Sequence, residues 1–527
     1  MPENIKKSRV VLGVITLGIF LFIVSFLIFI QKAEPYQIKR VIRGNYTLPT
    51  DAETATQDIS TLLGDEELNT TTSFIVGYRR MAIDSRRKAD AIIAIDDPTH
   101  ILVSRREGST ASSQLPIEYQ IAEFIPGGVN VVSGFTVIPD TAISKNITLP
   151  YSFNLTRSFP IINWLSYATA TNADEINCYV ADLKSSKVLE IKRSETATNY
   201  NNEVYYQVIE FDRDVVVTKN TTTLNSTTDN LTVNISYANI TDANRTLLIM
   251  HILPSSATAG VEGRYYVQGQ LINNTHLFFR RYTSGADCSI LWYLVEFKNN
   301  AFSKSDKDQL LGSTSLTLNT TVNVVPQWDL NRTLSVFYLQ LNSTATGVFE
   351  QAMATGQLFS SGSDVILNVT RNVSGSYGMI SYNIIEWPPL DVNYPNEAEN
   401  FTVGENRTIS WYVEDKRKNS TFQIRLCKNN CNYISNYNIL VNNVTGYNSS
   451  LINYTWKINS SIGGYNPINE TLRLAVIDIG LRNWSSTNQT SRNWDISNSN
   501  FTIRGDLIID SPTSSSIWYV GDNSTIS

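Results

Sequence analysis

A short apolar strand ending in glutamate and an aromatic residue occurs four times in this chain. It constrains the fold more than any other feature. The copies read Ile117-Glu-Tyr-Gln-Ile-Ala-Glu123-Phe124, Val204-Tyr-Tyr-Gln-Val-Ile-Glu210-Phe211, Ile290-Leu-Trp-Tyr-Leu-Val-Glu296-Phe297 and Ile380-Ser-Tyr-Asn-Ile-Ile-Glu386-Trp387. A strand that recurs at a near-constant spacing of roughly 90 residues marks a unit used four times. Other landmarks keep their order within each unit. An opening strand carries Arg43-Gly44 or Ser133-Gly134 in the first two copies; the third and fourth have no clear equivalent. A strand starts in mid-repeat after Arg157, Arg245 and Arg332, and an apolar strand ends at Arg106, Arg193, Arg281 or Arg371. These landmarks place the repeats at 36–125, 126–212, 213–298 and 299–388.

The period within the repeats is two. In Asp229 to Tyr237 the residues Leu231, Val233, Ile235 and Tyr237 alternate with Asn230, Thr232, Asn234 and Ser236, which is the pattern of a half-buried strand. Many short strands between turn residues predict an all-β fold of tandem sandwiches. A glutamate that continues an apolar face needs a partner, because an unpaired carboxylate is costly to bury. The recurring arginine on the preceding strand supplies a candidate. The sequence therefore predicts structural salt bridges between Glu123 and Arg106, Glu210 and Arg193, Glu296 and Arg281, and Glu386 and Arg371. The competing reading is four Glu–aromatic ligand sites. Sandwiches of this size stacked in a row also predict an extended stalk.

Trp387-Pro-Pro-Leu390 interrupts the last repeat, and a further sandwich pattern covers 390–505. There Ile409, Trp411 and Val413 alternate, as do Phe422, Ile424 and Leu426, then Leu472, Leu474 and Val476, with Phe501 and Ile503 last. The start of this pattern returns in 507–527: Val392 to Pro395 matches Ile509 to Pro512, and Val403-Gly404 to Ser410 matches Val520-Gly521 to Ser527. This predicts the first strands of a second such domain, cut short.

On these residues, with Tyr454-Thr-Trp456 and the Asp478 to Phe501 segment, the region resembles the Knh-type immunoglobulin-like domain of cell-surface proteins. The four repeats, with their Arg-Gly opening and Glu-aromatic closing strands, resemble tandem β-repeats of large prokaryotic surface proteins. The resemblance implies extracellular immunoglobulin-like sandwich modules and no catalytic residues. Together with the sequon density described next, it points to an archaeal envelope.

Location is read from two further features. Residues 10–31 form a long uncharged apolar run, sufficient for a transmembrane helix, behind the basic segment 1–9. A cleaved or prepilin-like signal is the alternative. About 28 Asn-x-Ser/Thr sequons occur, where chance would give roughly ten, and all lie C-terminal to that run. Acceptors assigned to strands and turns include Asn45, Asn146, Asn230, Asn234, Asn273, Asn319, Asn368, Asn443 and Asn469. The expected topology is a single-pass cell-membrane protein with a large extracellular C-terminal region.

The chemistry-bearing residues are few. Cys427 and Cys431 flank a short turn and predict a local disulfide, whereas Cys178 and Cys288 predict buried free thiols. Asp96-Asp97, Asp306 and Asp308 lack the spacing of a calcium loop. Three histidines sit apart from any nucleophile, and no phosphate loop or basic aromatic patch is present. The expectation is a non-enzymatic stalk or adhesin with no cofactor and no nucleic-acid partner. It would be anchored in the membrane and in contact with cell-surface glycans or other envelope proteins. The alternatives are an array of carbohydrate-binding modules, or a tether for a catalytic domain beyond residue 527.

Overall fold

The computed structural model describes residues 38–504, apart from several internal segments, the longer of which are 81–89, 106–113, 166–177, 255–263, 343–353, 429–436 and 480–493. The expected span at 10–31 and the partial copy at 507–527 lie outside the described residues. Among the described residues no helix is long and apolar enough to cross a membrane.

The described chain is all-β, built from paired antiparallel sheets in tandem. Each repeat has an inner sheet whose central strand is the Glu-aromatic strand. In the first repeat Leu115–Phe124 lies between Ile38–Leu48 and Ser73–Arg79; in the second Asn202–Phe211 lies between Val129–Ile138 and Ser158–Leu165. In the third Cys288–Phe297 lies between Val215–Leu224 and Thr246–Pro254; in the fourth Tyr377–Glu386 lies between Phe302–Leu311 and Thr333–Asn342.

A three-stranded outer sheet covers each inner one. Its central strands are His100–Arg105, Val188–Arg193, His276–Arg280 and Asp364–Arg371. The expected alternation holds on Asn230–Asn234, where Asn230, Thr232 and Asn234 are exposed.

The repeats do not line up in a row. The central inner strands are buried on both faces: Trp292 and Leu294 enter the core of their own sandwich, while Leu291, Tyr293, Val295 and Phe297 enter a second core shared by all four repeats. Phe124, Phe211, Phe297 and Trp387 close that shared core. Their rings meet edge-on in a cycle, at centroid distances of 5.5 Å (Phe124–Phe211), 5.4 Å (Phe211–Phe297), 5.9 Å (Phe297–Trp387) and 5.2 Å (Trp387–Phe124). The first repeat thus touches the fourth, and the four sandwiches form a closed ring. Linear stacking is corrected for a physical reason: an inner sheet with two apolar faces needs two partners, and ring closure leaves no repeat with a bare face.

The fifth unit packs a sheet of Leu390–Tyr394, Asn406–Val413 and Leu451–Lys457 against a larger sheet containing Ser420–Lys428, Tyr437–Gly446 and Thr471–Asp478. Ile409, Trp411, Phe422, Ile424, Leu426, Leu472, Leu474, Val476, Phe501 and Ile503 form its core, as their alternation predicts. Unforeseen is the parallel pairing of Asn400–Thr402 with Phe501–Arg504.

Candidate functional site

The recurring glutamates and arginines are the polar groups the repeats keep, and the structure places them at opposite ends of each sandwich. The expected pairing is corrected for Glu210 with Arg193, Glu296 with Arg281 and Glu386 with Arg371. Arg106 lies outside the described residues, and Arg105 occupies the position equivalent to Arg193 and Arg371 at the end of its strand.

Each arginine clamps the turn that follows the opening strand. That turn closes through a backbone bond from its fourth residue to its first: Ala52 to Pro49, Ala142 to Pro139, Thr228 to Asn225 and Ser315 to Gly312. Arg105 donates to the carbonyls of Pro49, Thr50 and Ala52. Arg193 donates to those of Pro139 (2.7 Å), Asp140 (2.8 Å) and Ala142 (2.9 Å). Arg281 reaches Asn225, Thr228 and Ala286, and Arg371 reaches Gly312, Ser315 and Ser376. A guanidinium has five N–H donors and no acceptor, so a turn that presents several carbonyls can hold it without a carboxylate. Burial pushes the pKa values of Arg281 and Arg371 below the usual arginine range.

Each glutamate does the converse at the aromatic end. Its carboxylate accepts backbone N–H bonds from the turn that precedes the inner strand Ser73–Arg79, Ser158–Leu165, Thr246–Pro254 or Thr333–Asn342. Glu123 binds Asn69 N (3.0 Å), Glu210 binds Asn154 N (2.6 Å), Glu296 binds Thr241 N (2.9 Å) and Asp242 N (3.0 Å), and Glu386 approaches Asp329 N (3.4 Å). The cations on these carboxylates are Lys39 and Arg40 for Glu123, Lys298 for Glu296, and Arg332 for Glu386. The same turns are Asx turns. Oδ1 of Asn69, Asn154, Asp242 and Asp329 accepts from the backbone N–H two residues on. The hydroxyls of Ser158, Thr246 and Thr333 donate back to the carbonyls of Asn154, Asp242 and Asp329, whereas that of Thr72 donates to Phe124 O at 2.8 Å.

A sequence signal for this existed. The spacing Asn/Asp-x-Thr/Asn lies just before the third strand in all four repeats, as Asn69-Thr-Thr71, Asn154-Leu-Thr156, Asp242-Ala-Asn244 and Asp329-Leu-Asn331.

A third recurring set joins neighbouring repeats. Gln207, three residues before its glutamate, makes a two-way bond with the backbone of Ile75 in the first repeat, 2.8 Å in each direction. Gln120 makes the equivalent bond across the ring closure to Ser335, at 3.0 and 3.1 Å. The matching residue facing the third repeat is Pro160, which has no N–H to give. Tyr293 stands there in place of glutamine and donates to Ala181 O at 3.1 Å. Tyr78 and Tyr338 repeat one geometry. Each phenol accepts from one backbone N–H of the preceding repeat and donates to a carbonyl two residues earlier: Phe337 and Ser335 for Tyr78, Met250 and Leu248 for Tyr338. His251 holds the same position in the third repeat and meets Pro160 O at 3.3 Å, so its Nε2 carries the proton. Burial pushes its pKa down to about 4, which keeps the ring neutral. Arg43 donates to the carbonyls of Leu330 and Thr333, and burial lowers its pKa to about 10.

Of the acceptor asparagines, Asn45, Asn146, Asn230, Asn234, Asn273, Asn319 and Asn443 are exposed, Asn368 is half-buried, and Asn469 lies outside the described residues. Asn319 and Asn368 face each other across two strands of one outer sheet and share a 2.7 Å bond. Cys427 is disulfide-bonded, and Cys178 and Cys288 are in the thiol form, outside any disulfide. Cys431, the remaining cysteine of the sequence, lies outside the described residues. Cys288 is buried, but Cys178 only half so. Asp97 caps the N–H of Thr99, and Asp308 binds Gln268 and Arg280. Among the described residues no cluster of three or more histidine, cysteine, aspartate or glutamate side chains is placed to hold a metal.

These recurring groups bind backbone and neighbouring repeats. Their chemistry is that of clamps, with most donors and acceptors directed at a turn or an interface. No family model, curated protein or solved structure matches the chain.

Proposed function

We propose that this chain is a non-catalytic, membrane-anchored, glycosylated cell-surface protein whose four repeats form a compact head. The Knh-type resemblance of 390–505 belongs to the same reading. The observation that supports it most is the exposure of the acceptor asparagines: of those assigned above and described, all but Asn368 are exposed.

The path of the chain adds a second support. Ile38 pairs with Phe124, and Trp387 packs against Phe124, so the chain enters and leaves the ring at its aromatic end. Residues 32–37 would reach at most about 20 Å. An anchor at 10–31 would therefore hold that end close to the membrane and turn the arginine-clamped end outward. The partners in this reading are the membrane and, at the outward end, cell-surface glycans or other envelope proteins.

Surface labelling of intact cells, combined with glycosidase treatment, tests the proposal. The expected result is a labelled species that migrates above the 59.1 kDa of the polypeptide and shifts down when deglycosylated. A protein that is neither labelled nor shifted would overturn it. Exposed aromatics at Phe135 (54%), Tyr237 (54%) and Tyr377 (50%) favour a second reading, sugar binding at the rims. Glycan-array binding that is lost on Phe135→Ala would establish that reading.

A further inference from the structure

We propose that the aromatic end of the ring carries a crown of four N-linked oligosaccharides, one per repeat, on Asn69, Asn154, Asn244 and Asn331. This rests on the surface-glycoprotein reading and assigns specific acceptors to it.

Superposing the repeats by their bonds, rather than by their sequence, brings these four residues together. In the first two repeats the acceptor is the Asx residue of the turn, in Asn69-Thr-Thr71 and Asn154-Leu-Thr156. In the last two an aspartate takes the Asx role, and the sequon begins two residues later, in Asn244-Arg-Thr246 and Asn331-Arg-Thr333. The register of the sequon shifts while its place in the fold stays. The Asx turn requires Asn or Asp at its first position and nothing that completes a sequon. Aspartate serves in two repeats, and an acceptor is still present in those two.

The local geometry leaves the acceptor nitrogens free. Oδ1 of Asn69 and of Asn154 is held by the backbone N–H and the hydroxyl of Thr71 and Thr156, at 3.1 and 2.8 Å and at 3.0 and 2.7 Å. Asn154, Asn244 and Asn331 are exposed and Asn69 is half-buried. A glycosyl phosphate donor supplies the sugar. The bond from its anomeric carbon to phosphate oxygen breaks, that carbon bonds to Nδ2, and the amide proton leaves with the phosphate. Thr246 and Thr333 are buried, with their hydroxyls bonded to Asp242 O and Asp329 O, so transfer in the last two repeats precedes closure of the turn.

Glycopeptide mass spectrometry of the full chain from its native source tests the crown. Sugar on all four asparagines is the expected result. Thr71→Ala, Thr156→Ala, Asn244→Gln and Asn331→Gln, which keep the Asx cap, should each remove the mass of one glycan and leave the unfolding midpoint within a few degrees. Occupied sequons elsewhere with these four bare would overturn the crown and leave the glycoprotein reading standing. Sugar on Asn69 and Asn154 alone would also overturn it, because transfer would then act on the folded ring. A chain with no sugar at any sequon would sink both.

Discussion

Asn383 is the residue at which the ring's own rules are broken. It occupies the position of Gln120 and Gln207, but neither its Oδ1 nor its Nδ2 finds a partner. Its chain is one methylene too short for the two-way bond to the backbone of the preceding repeat. The equivalent backbone is that of Leu248, whose carbonyl already accepts from Tyr338, as Ser335 O accepts from both Tyr78 and Gln120. Asn383→Gln should therefore stabilise the protein, by about 1–2 kcal/mol in denaturant unfolding. The two clamps predict the opposite sign. Glu296→Gln places an amide against backbone N–H groups and should cost about 2–3 kcal/mol. Arg281→Met strands several turn carbonyls and should cost about as much. If either substitution left the melting temperature unchanged, the clamp reading would fail and a ligand-binding role would return.

At the level of elements, the join between the second and third repeats is the one that should sense acid. His251 lies against Pro160 and edge-on to Tyr293, with Asp182 and Lys219 nearby on the same interface. Its pKa is about 4 in the fold, against about 6.5 in an unfolded chain. A depressed value means that stability is intact above about pH 6.5 and is lost as pH falls toward 4, because only the unfolded state takes up the proton readily. The loss amounts to roughly 3 kcal/mol at about 1.4 kcal/mol per unit. Subtracting the pH–stability curve of His251→Gln from that of the wild type should isolate this step. A flat difference would show that the imidazole is not buried as described. Glycines mark another element-level constraint. A side chain at Gly134 would come within 2.7 Å of the Tyr206 hydroxyl, which lies across the opening strand. Where the opening glycine is missing, Trp292 and Tyr382 turn to Thr222 and Asp306 instead.

At the scale of the molecule, closure makes the four repeats one cooperative body. Phe211 touches both Phe124 and Phe297, so Phe211→Ala opens a cavity that three repeats share. The expected cost is about 3–5 kcal/mol, in a single unfolding transition that all repeats report together. Independent transitions for separate repeats would contradict the shared core. Scattering from residues 36–388 should give a radius of gyration near the value for a compact chain of that length, about 20 Å. Four sandwiches in a row would give about twice that. The function proposed above inherits this shape: a head held near the membrane at one end.

The sequence alone determined the elements and their repetition. Alternation of apolar and polar residues sets a strand's two faces locally, so the strands around Glu123, Glu210, Glu296 and Glu386, and the sandwich pattern after residue 390, were legible without coordinates. The need to satisfy a recurring buried charge was legible too, but not its partner. Glu296 and Arg281 recur together because each closes one end of the same sandwich, and a co-occurring pair at opposite ends looks in sequence like a pair in contact. Ring closure was decided only by the tertiary structure. An apolar residue such as Val295 records that its face is buried but not against what, and the covering surface comes from residues hundreds of positions away, as when Gln120 binds Ser335. That choice rests on shape complementarity between distant sheets, which no local pattern encodes.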